Sequence, residues 1–197
     1  MIPIICICLT ERKERLINHL DSFPELVDSY RLFDAFTPSP IMTDPRDCLT
    51  YSNLAILKMA KMSGWEELII LEDDVVLDPQ FIEKFKKMRE TLRMGWNTVH
   101  LGYGNMWESA PKSPYNDLLV YASPVNTHAM YYSKLGIEHI LESIELTTTE
   151  RNWDRLLIEF FKHYPGLAIY PHENRIARQL TEEGVLKSAT QLNNTNP

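Results

Sequence analysis

Glu67-Leu68-Ile69-Ile70-Leu71-Glu72-Asp73-Asp74-Val75-Val76-Leu77 is the stretch on which the fold turns. Its apolar half is too short for a buried helix and has no polar alternation, so it reads as a strand buried on both faces. The acidic triplet falls where that strand ends. Asp78-Pro79 then opens a helix running to about Leu92, with Phe81, Ile82, Phe85 and Met88 inward. Strand followed by helix is the unit of a parallel sheet, and such sheets bind ligands outside the carboxyl ends of their strands.

Working outward, the same alternation continues. Ile2 to Leu9 reads as an isoleucine-rich central strand, with Thr10 as the cap of a helix from Glu11 to Ser22 carrying Leu16, Ile17 and Leu20. Arg31 to Phe36 is a second strand, and the prolines of Thr37 to Pro45 make a loop. Cys48 to Ser63 forms a helix that Gly64 ends. Beyond the acidic stretch, strands are expected at Asn97–Leu101, Leu118–Ala122, Thr127–Tyr132 and Leu167–Tyr170, and helices at Lys134–Ser143 and Trp153–His163. The expected fold is α/β: one domain over residues 1–180, with a mostly parallel central sheet flanked by helices, Rossmann-like in its first half. Residues 181–197 make a polar tail, disordered from Gln191.

The chain has 197 residues, enough for one α/β domain and its core. A net charge of −7 disfavours a surface that coats nucleic acid. Cys6, Cys8 and Cys48 match neither a zinc ribbon nor a disulfide framework, and read as buried free thiols of a reducing compartment. The first nine residues lack a basic leader and are followed at once by charge, so neither a signal peptide nor a transmembrane segment is expected, and the location is cytoplasmic.

Three consecutive carboxylates repel one another: two charges about 4 Å apart cost roughly 4 kcal/mol at an effective dielectric near 20. A hard divalent cation, Mn²⁺ or Mg²⁺, relieves this and shares its shell readily with phosphate oxygens. Period-two alternation places Glu72 and Asp74 on one side and Asp73 on the other. Asp74 is the expected direct metal ligand, with Glu72 and Asp73 on the metal, its water, or the ligand's ribose or sugar. The competing reading is an acidic loop that only caps the next helix, but Asp78 already fills that place.

Several short motifs occur in a telling order. They are the Arg-rich Leu9-Thr10-Glu11-Arg12-Lys13-Glu14-Arg15, then Cys48-Leu49-Thr50-Tyr51-Ser52-Asn53, then Leu71-Glu72-Asp73-Asp74-Val75. Trp96-Asn97-Thr98-Val99-His100-Leu101-Gly102, Thr127-His128-Ala129-Met130-Tyr131-Tyr132-Ser133, Asn152-Trp153-Asp154 and Tyr170-Pro171 follow. In this order they resemble glycosyltransferase family 25, the lipopolysaccharide and procollagen galactosyltransferase family, of GT-A fold. Asn53 stands where that family usually has histidine.

The resemblance implies a metal-dependent transferase. It would move a hexose from a nucleotide-sugar donor, UDP-linked, to a hydroxyl on a glycan or similar acceptor. Leu9, Thr10, Arg12, Arg15 and Ser52 would cradle the donor, an Arg pairing its phosphate or base. An inverting transfer needs a carboxylate base; Asp154 aligns with the family's late acid, and Glu173 is the alternate. His172 is a candidate late metal ligand. Tyr103, Asn105 and Trp107 follow a strand in the same half as the triplet, where the aromatics are candidates to stack on an acceptor sugar and filling of a surface loop is equally consistent. Two alternatives keep the same motif: an inactive sugar- or nucleotide-binding module, and a metal-dependent phosphohydrolase or nucleotidyltransferase.

Overall fold

The computed structural model describes residues 2–92, 94–102, 119–121, 127–146, 152–164, 166–169 and 176–180. In chain order the main elements are β1 (Ile4–Cys8), α1 (Lys13–Leu20), β2 (Tyr30–Asp34), α2 (Pro45–Ser63), β3 (Glu67–Glu72), β4 (Val75–Leu77), α3 (Phe81–Thr91) and β5 (Thr98–His100). They continue with β6 (Leu119–Tyr121), β7 (Ala129–Ser133), α4 (Lys134–Leu146), α5 (Trp153–Phe161), β8 (Leu167–Ile169) and β9 (Ala177–Gln179).

Seven strands form one sheet in the order β2-β1-β3-β7-β5-β8-β6. β2, β1, β3, β5 and β8 run in one direction, while β7 and β6 run against them. β4 and β9 pair separately as a small antiparallel ribbon.

Alternate residues of the central strands feed two cores. Ile4, Cys6, Ile69, Leu71 and Tyr131 face α1 and α3 through Leu16, Leu20, Phe81 and Phe85. Ile5, Ile7, Leu68, Ile70 and Tyr132 face α2, α4 and α5 through Ile56, Leu57, Ile140 and Leu156. Burial on both faces is why β1 and β3 are apolar without alternation. The class and layering are those expected from the sequence.

Several boundaries differ from expectation, each for a local reason. Thr10 is not a helix cap: Thr10–Arg12 form a 3₁₀ turn and α1 starts at Lys13, because Leu9 before the turn and Arg12 at its end are tied to Asp73. α2 starts three residues earlier than the apolar stripe suggests. Asp44 accepts a bond from the Arg46 N–H at 2.9 Å, and Pro45 occupies the first helical turn, where a missing N–H costs nothing. Gly64 ends α2 in the left-handed conformation, φ 65°, as expected. α3 starts at Phe81, with the Asp78 carboxylate accepting from the Gln80 N–H at 2.8 Å.

Candidate functional site

The carboxyl ends of β1 and β3 lie side by side, and the acidic turn after β3 is woven into that crest. Asp73 turns toward β1. One of its oxygens accepts the Leu9 N–H at 2.8 Å and the other accepts Arg12 Nη1 at 2.8 Å, both side chains of the ion pair being 10% exposed. Arg15, one turn further along α1, donates to the Asp73 and Val75 carbonyls. Burial lowers the Arg15 pKa, against the opposing pull of Asp73 and Asp74. Leu9, Arg12 and Arg15 therefore meet the triplet directly, and each binds protein groups there. Thr10 stays exposed on the short turn.

Asp74 is buried, and Gln179 Nε2 donates to its Oδ2 at 3.0 Å. The β4–β9 ribbon brings Gln179 to this place from far along the chain, and the Leu180 N–H donates to the Asp74 carbonyl at 3.0 Å. Gly102 lets the C-terminal segment pass. A Cβ there would lie 2.3 Å from the Ala177 carbonyl oxygen and 2.5 Å from His128 Nε2.

Glu72 points away from Asp73, as the alternation predicts. Its N–H donates to the His128 carbonyl at 2.9 Å, which continues the β3–β7 ladder to the crest. Thr127 Oγ1 then lies 3.1 Å from Glu72 Oε1 and 3.1 Å from Asp154 Oδ1. One hydroxyl has one hydrogen, so it serves one of these carboxylates at a time. Asp154 reaches this point from the first turn of α5, which Asn152 caps and the fully buried Trp153 anchors. Burial pushes the Glu72 carboxyl well above the usual carboxylate range, reinforced by the nearby Asp74 and Asp154 and opposed by the Thr127 bond. Tyr132 is raised too, chiefly by burial.

Ser52 is placed differently from the other donor-site candidates. Its hydroxyl donates to the Cys48 carbonyl at 2.8 Å and accepts the Phe36 N–H at 3.0 Å, pinning the loop after β2. His172, Glu173, Tyr103, Asn105 and Trp107 lie outside the described residues. Sequence reading missed Thr127 and Gln179 as members of the site. Thr127 opens one of the ordered motifs but nothing there gives it a role, and a glutamine in a three-residue ribbon carries no pattern that marks it.

Among the described residues, no three His, Cys, Asp or Glu side chains converge as a ready metal cage. Carboxylate oxygens are nonetheless the hard donors that Mg²⁺ and Mn²⁺ take. Mg²⁺ is commonly held by one or two carboxylates together with substrate phosphates, not by an all-protein cage. Glu72 and Asp74 supply such oxygens at the end of β3, and the chemistry of this donor set fits a cation shared in that way.

A groove of about 720 Å³ lies at the opposite end of the sheet, lined by Ile2, Trp65, Phe81 and Arg89 among others. Of its carboxylates, Glu67 accepts from the Tyr131 hydroxyl and from Arg89 Nη2, each at 2.7 Å. The acidic crest is the better chemical candidate.

No protein-family model matches the chain. The comparison with curated proteins gives no match either. Among solved structures, the chain is similar to a glycosyltransferase involved in the glycosylation of the major capsid of PBCV-1. Identity is 15%, the TM-score is 0.47, and 80% of this chain and 74% of that chain are covered. It is also similar to A197 from STIV, at 17% identity and a TM-score of 0.45, with 85% and 81% covered. Likenesses this distant say nothing of activity. No helix among the described residues is long and apolar enough to cross a membrane.

Proposed function

We propose that this chain is a glycosyltransferase that moves a sugar from a nucleotide-sugar donor, UDP-linked, to a hydroxyl of a glycan or similar acceptor. One observation carries the reading: Glu72 at the end of β3 and Asp154 at the start of α5 meet across the single hydroxyl of Thr127. Two carboxyl groups gathered at a sheet crest beside a third, Asp74, are costly unless a cation or a proton joins them. The order of family-25-like motifs along the chain supports sugar transfer over other uses of such a cluster.

In this reading Asp74 and Glu72 would hold Mn²⁺ or Mg²⁺ against the donor's diphosphate, and the ion would supply Lewis-acid stabilisation of the departing nucleotide. Gln179 orients Asp74 by its bond to Oδ2. Asp73 keeps the first turn after β1 closed against the acidic turn through Leu9 and Arg12, so its part is to shape the donor cradle. Asp154 accepts the proton of the acceptor hydroxyl as that oxygen attacks the sugar carbon from the face opposite the nucleotide, an inverting transfer.

The test is a titration of nucleotide sugars with Mn²⁺ and with EDTA, followed by product analysis with glycan acceptors. Metal-dependent donor binding and release of free nucleoside diphosphate alongside a glycosylated product is the expected result. Release of inorganic phosphate, transfer of a nucleotidyl group, or donor binding indifferent to metal would overturn it.

A further inference from the structure

The run from Asp73 to Asp78 is held along both of its edges, by different means. β9 takes one edge: the Leu180 N–H donates to the Asp74 carbonyl at 3.0 Å, and the Asp78 N–H to the Ile176 carbonyl at 2.9 Å. In an antiparallel pair the alternate residues turn their backbone groups the other way. β4 and β9 form a two-stranded ribbon, so among the described residues no strand lies on that second edge. Helix α1 supplies the missing partners from its side chains. Arg15 donates to the Asp73 and Val75 carbonyls, and four residues on, His19 Nε2 accepts the Leu77 N–H at 2.8 Å. Residues four apart share a helix face, so donor and acceptor are set out in the order in which the strand edge offers carbonyl and N–H. An imidazole nitrogen that accepts carries no proton, and His19 is therefore neutral with its hydrogen on Nδ1. In the protonated ring both nitrogens donate, and Nε2–H would meet the Leu77 N–H head-on. His19 is only half-buried, which leaves it within reach of a proton. Burial, and after it the Arg15 charge on the same helix, hold its pKa below the ordinary 6.5. The Phe23 ring stands edge-on to it at 5.5 Å, and of the charges around β4, Asp78 is engaged by Lys84 at 2.8 Å with Arg178 of β9 nearby.

We propose that His19 is a positioning residue for the Asp74 carboxylate and makes that position sensitive to acid: the neutral ring closes the second edge of β4, and protonation opens it and loosens the ribbon that carries Gln179. The ribbon is three residue pairs long, so each edge contact is a large part of what holds it. Gln179 Nε2 and the Leu180 N–H both reach Asp74 from β9, and a ribbon that slackens moves both. His19 touches neither donor nor acceptor in this scheme and acts through Leu77 alone. The proposal rests on the sugar-transfer reading only for what Asp74 would hold. Glutamine at this position offers an Oε1 acceptor at any pH, whereas leucine removes the acceptor.

The experiment follows the metal-free protein by NMR from pH 8 to pH 5, a range above the point at which His100 titrates, in the unaltered chain, H19Q and H19L. In the unaltered chain the Leu77 amide and the Gln179 side-chain amide are expected to shift with the midpoint of the His19 ring itself, below 6.5. Protection of the Leu77, Asp78 and Leu180 amides against hydrogen exchange should fall at least tenfold across that midpoint, with the amides of β1 and β3 steady. H19Q should stay protected throughout, and H19L should have lost the protection already at pH 8. A ring still neutral at pH 5, Leu77 and Gln179 amides indifferent to its titration, or an H19Q as acid-sensitive as the unaltered chain overturns the proposal. If H19L does not fold, the other two proteins decide. Calorimetry with Mn²⁺ plus UDP at pH 7.5 adds the consequence: H19L is expected to bind at least fivefold more weakly and H19Q within twofold, and equal affinity in all three overturns the positioning role. If the unaltered chain binds no Mn²⁺ with UDP, the sugar-transfer reading fails by itself, and the Leu77 and Gln179 amides still decide what His19 does.

Discussion

Asp73 and Arg12 form a near-buried ion pair, 2.8 Å between Oδ1 and Nη1, that fastens the turn after β3 to the turn after β1. The other Asp73 oxygen takes the Leu9 N–H, so one side chain closes two connections between neighbouring strands. Removing one partner from such a pair strands the other charge and costs about 3 kcal/mol or more. Asp73→Ala is expected to lower Tm by roughly 6–12 °C, since each kcal/mol moves a domain of this size by about 2–4 °C. Thermal unfolding of Asp73→Ala, Arg12→Ala and the double variant checks this. The double variant should lose much less than the two single losses added together; simple additivity would mean the two residues do not act as a pair.

Glu72 is expected to be a liability to stability in the metal-free protein. Its folded pKa is raised, so the ionised form is favoured in the unfolded chain, and its cost appears as pH rises through the folded value. Glu72→Gln should therefore raise Tm in EDTA at neutral pH and abolish any further gain on adding Mn²⁺. A Tm that falls in EDTA would show that the carboxylate has a stabilising partner at neutral pH.

Asp154→Asn should cut transfer by about 10²–10⁴-fold, the usual contribution of a general base. Donor affinity, read by calorimetry with Mn²⁺, should stay within twofold. Equal loss of both would assign Asp154 to donor binding instead.

His100 is fully buried against Phe161, and burial pulls its pKa down to about 4 from the ordinary 6.5. A histidine with a depressed folded pKa favours the unfolded state once it can be protonated there. Its stabilising neutrality is complete above pH 6.5 and is lost as pH falls to about 4. The loss is about 3 kcal/mol at 1.36 kcal/mol per pKa step. Urea unfolding at pH 7 and pH 4 measures it. His100→Gln should flatten the difference, and an unchanged slope would place the acid sensitivity elsewhere.

Gly102→Ala should destabilise the protein by about 1–3 kcal/mol, the range for forcing atoms into filled space. The new methyl would press on the Ala177 carbonyl and His128, and so lift Gln179 away from Asp74. Calorimetric titration with Mn²⁺ plus UDP should then show weaker binding than in the unaltered chain. Preserved affinity would separate β9 from the site.

The sheet was legible because burial on two faces writes unbroken apolar runs, as in Ile4–Cys8 and Leu68–Leu71. The gathering of acids at the crest was legible because three carboxylates follow such a run directly, but not that Asp73 ties the turn to Leu9 and Arg12. What stayed hidden depends on contacts between distant parts of the chain. Arg12 and Arg15 read as partners for a donor's phosphate or base, and in the fold Arg12 donates to the Asp73 carboxylate and Arg15 to the Asp73 and Val75 carbonyls. Val75–Leu77 continues the apolar run of β3 in sequence, but pairs with β9 in a ribbon of its own because the turn at Asp73 breaks the direction. Ser52 reads as part of a donor motif, and in the fold it secures the Phe36 backbone.

β7 runs opposite to the strands on both its sides. In an all-parallel sheet only the finishing residues of strands arrive at the crest, and the residue that introduces a strand sits a full strand length below. Reversal exchanges those two ends. A residue that merely leads into β7 is thereby delivered among the finishing residues of its neighbours, and the sheet can seat side chains from both termini of its strands along a single rim without lengthening any connection.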